Sequence, residues 1–111
     1  MPKSGGDNVL TIEEITKKLT PVFEENGVTK AVLFGSYAKG TATEVSDVDL
    51  VIDTLPEITG WSALAIYGRI TDVMDSLDTG VDIIHKMDIA NNGRIDIEVA
   101  RTGKVIYERE G

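Results

Sequence analysis

The chain has 111 residues with 19 acidic and 11 basic side chains, a formal net charge of −8, and its length predicts one domain. Leu, Ile, Val and Phe make up 32 of the 111 residues, well above the roughly 20% below which charged chains stay disordered. Cysteine is absent, which excludes disulfides, thiolate zinc sites and a cysteine nucleophile, and no apolar run approaches the roughly 18 residues of a membrane span.

A pI near 4.5 argues against a protein that grips nucleic acid through a broad basic face. It suits a basic partner, or a site that takes a cation. The start Met1-Pro2-Lys3-Ser4-Gly5-Gly6 carries no signal-peptide apolar stretch, so a cytoplasmic protein is the expectation.

In chain order, residues 1–9 read as a flexible N-terminal tail and 10–111 as a single domain. Thr11-Ile12-Glu13-Glu14 has capping-box spacing. Ile12, Ile15, Leu19, Val22 and Phe23 then recur at helical intervals up to the stop at Asn26-Gly27. Pro21 lies inside that pattern and should kink or split the helix. Val28 to Phe34 contains the run Ala31-Val32-Leu33-Phe34, short enough for a strand buried on both faces. Ser36-Tyr37-Ala38-Lys39 predicts a short helical turn, and Val48-Asp49-Leu50-Val51-Ile52 a second strand.

Pro56 and Gly60 bracket a turn before a helix from Trp61 to Leu77, with Trp61, Leu64, Ala65, Gly68, Val73 and Leu77 near one stripe and Gly80 closing it. Val81-Asp82-Ile83-Ile84 predicts a third strand. The segment Arg94 to Thr102 is ambiguous. Ile95, Ile97 and Val99 alternate as in a strand, yet Ile95 and Val99 are also i, i+4 neighbours between the cap-like Asn92 and Gly103. Lys104-Val105-Ile106-Tyr107 predicts a final strand. The sum is an α/β (α+β) domain, a small mixed β-sheet with helices packed against it.

Three features carry chemistry: Gly35-Ser36 straight after a buried strand, Asp47-Val48-Asp49 ten intervening residues later, and Asp82 on another strand. On a strand, Asp47 and Asp49 project from one face with about 6.6 Å between their α-carbons. Such carboxylates repel each other unless cations neutralise them, and hard oxygen ligands select Mg²⁺ or Mn²⁺. Glycine lets a backbone approach a phosphate closely, and Ser36 adds a hydroxyl donor. A phosphate cradle beside a dicarboxylate metal site is the minimum equipment for in-line displacement on a nucleoside triphosphate.

Gly35-Ser36-Tyr37-Ala38-Lys39-Gly40 followed by Ser46-Asp47-Val48-Asp49-Leu50 resembles the Gly-Ser-x10-Asp-x-Asp signature of the polymerase-β-like nucleotidyltransferases. Within them it is most similar to the minimal nucleotidyltransferase (MNT) group, often the antitoxin paired with a HEPN-domain toxin. The resemblance implies the nucleotidyltransferase fold, triphosphate binding at Gly35 and Ser36, and two Mg²⁺ ions on Asp47 and Asp49. It makes Asp82 the third catalytic, metal-binding carboxylate. It also turns the ambiguous segment from Arg94 to Thr102 into a helix. One departure is Lys39, where the family usually has Arg; a lysine offers a point charge, not a planar fork.

The activity so implied is transfer of AMP from ATP to a hydroxyl of a partner protein, a tyrosine of a HEPN toxin, by a type VII-like antitoxin. The competing reading is a non-catalytic module that neutralises a toxin by complex formation. No acceptor-binding domain is expected in 111 residues, which favours an acceptor delivered as a docked protein. Asp53 shares the face of Asp47 and Asp49 but reads as solvated at the strand's end. Asp72, Asp75 and Asp78 read as the wet face of a helix. His85, Tyr37 and Trp61 read as structural or packing residues, and Lys39 as a partner for phosphate or for a nearby carboxylate.

Overall fold

The computed structural model describes residues 9–89 and 93–109. Helix α1 (Ile12–Glu25) starts at the expected capping box: Glu14 N–H donates to Thr11 Oγ1 at 3.0 Å, and Thr11 N–H to the Glu14 carboxylate at 2.9 Å. Pro21 does not split it. The proline is exposed, while Ile15, Leu19 and Phe23 are fully buried on the opposite side. Burying three such side chains contributes about 1.5–3 kcal/mol each, which outweighs the ~3 kcal/mol cost of one interior proline.

Strand β1 (Val28–Phe34) leads into the one-turn helix α2 (Ser36–Lys39), then β2 (Val48–Thr54), helix α3 (Trp61–Ser76), β3 (Val81–His85), a further turn of helix α4 (Lys86–Ile89), α5 (Gly93–Thr102) and β4 (Lys104–Glu108). The four strands form one mixed sheet in the order β3-β2-β1-β4. β1 pairs antiparallel with β2 and β4, and β2 pairs parallel with β3. The neighbouring strands and the helix from Arg94 onward are as expected; α4 is an addition, and Asn92 lies outside the described residues. The tail expected over 1–9 does so too, all but Val9, which packs against the core.

Strand alternation sorts the faces. Ala31, Leu33, Val48, Leu50 and Ile52 are fully buried and belong to the cluster that includes Ile15, Leu19 and Phe23 of α1 and Ile66, Ile70 and Met74 of α3. The opposite face presents Val32, Asp49, Val51 and Asp53 by parity, and α5 lies on that side, with Val99 and Val32 both against Gly103.

Two expectations for α3 are corrected. Its buried residues are Ile66, Ile70 and Met74, whereas Trp61 and Leu64 of the expected stripe are 86% and 54% exposed. The helix is apolar on more than one side, so periodicity alone does not choose its face; contact with α1 and the sheet does. The left-handed residue after the helix is Asp78, with φ 55°, and Gly80 is not in that region.

Candidate active site

β2 is flanked by β1 and β3, and Asp49 sits at the second position of the strand. Its register partners are Phe34 on β1 and Asp82 on β3. Paired residues on adjacent strands point to the same face about 5 Å apart, so the sheet brings Asp82 beside Asp49. Asp47 immediately precedes β2, where Val48 N–H donates to Gly80 O at 2.9 Å.

Two glycines make room for these carboxylates. Gly35 has φ 75°, and a side chain there would run into the Asp49 carboxylate. A Cβ on Gly80 would likewise meet Asp47 Oδ1. Asp49 therefore lies over the end of β1, and Asp47 over the start of β3. Gly80 was visible in the sequence only as a helix stop; its role depends on β3 lying next to β2.

The Asp49 carboxyl is pushed up to about 6, mainly by burial, then by the negative charges of Asp82, Asp47 and Glu98. The site thus carries excess negative charge. Glu98 comes from α5, far away in sequence, and its carboxylate pairs with Lys39 Nζ at 3.7 Å. Thr102, also on α5, accepts a hydrogen bond from Gly35 N–H at 3.3 Å and donates to Glu98 O at 2.9 Å. Thr102 therefore ties the end of α5 to the turn that carries Gly35 and Ser36. No motif pointed to Glu98 or Thr102, because only the sheet's closure by β4 delivers α5 to this place.

Among the described residues, no group of three or more histidine or acidic side chains is gathered closely enough to hold a metal ion. Mg²⁺ typically takes one or two protein carboxylates and completes its shell with substrate phosphates and water. Two hard oxygen donors and unbalanced negative charge fit that pattern.

The remaining candidates are structural. Met87 N–H donates to His85 Nδ1 at 3.1 Å, so in the neutral ring Nε2 carries the proton and donates to Thr54 Oγ1 at 2.9 Å. Asp53 is not simply solvated; its carboxylate lies 3.9 Å from Lys86 Nζ. Tyr37 is buried, and burial raises its phenol above the usual range. Asp72, Asp75 and Asp78 are exposed, as expected. Trp61 is not packed, contrary to expectation.

Residues 17–111 match the family model described as polymerase beta, nucleotidyltransferase. "Putative protein adenylyltransferase MJ0126" of Methanocaldococcus jannaschii is 33% identical over 81 residues, covering 72% of this chain and 80% of that one. "Putative protein adenylyltransferase MJ0435" of the same organism is 39% identical over 44 residues, 40% of this chain and 47% of its own length. Among solved structures, a toxin–antitoxin complex with AMP-PNP has a chain that superposes with a TM-score of 0.65 at 20% identity, covering 86% of this chain and 74% of that chain. A tri-AMPylated Shewanella oneidensis HEPN toxin in complex with its MNT antitoxin gives a TM-score of 0.61 at 16% identity over 88% and 73%. At these identities the structural likeness is one of fold.

Proposed function

Because the chain belongs to the polymerase beta nucleotidyltransferase family, we propose that it moves AMP from ATP to a hydroxyl of a partner protein, a tyrosine of a HEPN-type toxin, and so acts as an antitoxin. The observation that carries this reading is the seating of Asp47 and Asp49 on Gly80 and Gly35 at the mouth of the sheet, with Asp82 in register beside Asp49. A relative named as a protein adenylyltransferase and a like-folded antitoxin bound to an AMPylated toxin support the choice of acceptor.

In this reading Gly35 and Ser36 would receive the triphosphate, and Asp47 and Asp49, with Asp82 in register beside Asp49, would hold two Mg²⁺ ions whose remaining ligands come from the substrate phosphates and water. Bound Mg²⁺ supplies charge neutralisation at the α-phosphate and at the leaving group. The acceptor oxygen attacks the α-phosphorus in line; the new P–O bond forms as the α,β-bridging bond breaks, and pyrophosphate leaves with the electron pair. A phenol has an unperturbed pKa near 10, so it needs a base to attack well at neutral pH. An Asp82 carboxylate oxygen, exposed beside Asp49, accepts that proton.

The alternative, a module that neutralises by binding alone, draws on the exposed Trp61 and Leu64 of α3. It gives no reason for two glycines to be shaped around two carboxylates. The test is direct: this chain, Mg-ATP and a HEPN-type toxin are incubated, and the toxin is weighed by mass spectrometry. A gain of one or more AMP units supports the transferase; an unchanged mass with active toxin preparations refutes it.

A further inference from the structure

Three cations crowd one cleft of this acidic chain. The cleft holds about 380 Å³ and is lined by Lys39, Arg94, Ile97, Glu98, Arg101 and Thr102. Positions 94, 97, 98 and 101 recur at intervals of three and four, so one face of α5 supplies them, and Lys39 closes the cleft from the end of α2. Glu98 faces Lys39 at 3.7 Å and neutralises one of the three. Among the described residues, neither Arg94 nor Arg101 has an ion-pair partner. The cleft therefore carries a surplus of positive charge on a protein whose formal net charge is −8.

Its position is equally particular. Thr102, part of its wall, accepts the hydrogen bond from Gly35 N–H, and Lys39 stands one helical turn beyond Ser36. The acidic cluster of Asp47, Asp49 and Asp82 and this basic cleft thus meet at the same turn of chain. Guanidinium groups match phosphate oxygens two at a time.

We propose that the cleft holds the β- and γ-phosphates of the nucleoside triphosphate, with Arg94 and Arg101 selecting triphosphate over monophosphate. The inference rests on the nucleotidyl-transfer reading above. It divides the triphosphate between an acidic, cation-binding half at the α-phosphate and a basic half at the leaving pyrophosphate. As the α,β-bridging bond breaks, the charge that develops on pyrophosphate falls among Lys39, Arg94 and Arg101. An acidic segment of the acceptor is the rival occupant; continuity with the turn at Gly35 favours phosphate.

The test compares the wild-type chain with R94Q/R101Q and R94K/R101K by equilibrium binding of ATP, AMP and inorganic tripolyphosphate in Mg²⁺, after thermal melting shows all three proteins folded. The expected result for R94Q/R101Q is ATP and tripolyphosphate binding weakened about tenfold or more, with AMP binding within twofold of wild type. R94K/R101K, which keeps the charge and loses the fork, should fall between. Unchanged ATP affinity in R94Q/R101Q overturns the proposal, and so does a rise confined to the acceptor's KM, which would give the cleft to the acceptor. Arginine-dependent tripolyphosphate binding without any AMP transfer would sustain this site while refuting the transferase. Transfer that continues with unaltered ATP affinity would do the reverse.

Discussion

Gly80 and Asp47 compete for one small volume at the mouth of the sheet: a Cβ on residue 80 would meet Asp47 Oδ1. Gly80 has no positive φ, so its backbone tolerates alanine, and the exposed Asp47 side chain is the part that must give way. Gly80→Ala should lower the AMP-transfer rate about 100-fold, the scale expected when a catalytic group is displaced by about 1 Å, with little change in melting temperature. Gly35→Ala differs because φ 75° with ψ −152° is a backbone region open essentially to glycine alone; it should also destabilise the fold, by about 1–3 kcal/mol. Steady-state rates and thermal melts of both variants separate the two effects.

How far the sequence could be read depended on the range of the interactions concerned. The capping box at Thr11 and Glu14 and the parity that places Val48, Leu50 and Ile52 in the core are local, and each stands as expected; the strand ending at Phe34 also forms, but Val32 on its second face is only half-buried. The buried face of α3 departs from its expected stripe because Leu64 and Ile66 are equally apolar, and only the neighbouring elements choose between them. Gly80, Glu98 and Thr102 carry no local signal for a different reason. Their partners Asp47, Lys39 and Gly35 lie 33, 59 and 67 positions away, and strand order, not pattern, brings them together. Of the two partners expected for Lys39, phosphate or a nearby carboxylate, the structure supplies the carboxylate of Glu98.

Asp49 predicts the pH response of the metal-free protein. Its carboxyl is raised from 3.8 to about 6, so the folded chain holds that proton more tightly than the unfolded one. The corresponding stability is fully present below about pH 4 and is lost as pH rises through about 6. Urea midpoints of the metal-free chain should carry this decline across pH 4 to 7, and Asp49→Asn, which cannot ionise, should remove that part of the slope.

Mg-ATP should stabilise the wild-type chain by mass action, because the unfolded chain offers no assembled site. At a ligand concentration 100 times Kd the gain is about 2.7 kcal/mol, or on the order of 10 °C for a domain of this size. Changing Asp47 and Asp49 together to Asn should abolish the Mg²⁺-dependent part of that shift. A double variant that shifts as far as wild type would show that these carboxylates do not hold the cation.

The last prediction separates catalysis from binding. In the mechanism proposed above, Asp82 takes the acceptor's proton besides flanking the metal site, whereas Asp47 and Asp49 hold the cation that accompanies the triphosphate. Asp82→Asn should leave ATP binding close to wild type but cut AMP transfer by about 10²–10⁴, the usual contribution of a general base. If this chain silences a toxin through modification, neutralisation of that toxin should fall in proportion, and the loss should be visible both as toxin activity and as unmodified toxin mass. The Asp47→Asn/Asp49→Asn chain should still dock on the toxin through its unaltered surface, without silencing it at sub-stoichiometric ratios. Wild type should silence many toxin molecules per copy, because a modified toxin stays modified after the enzyme leaves. Neutralisation that requires one copy of this chain per toxin, and that the Asp47→Asn/Asp49→Asn chain achieves equally well, would mean that complex formation alone does the work.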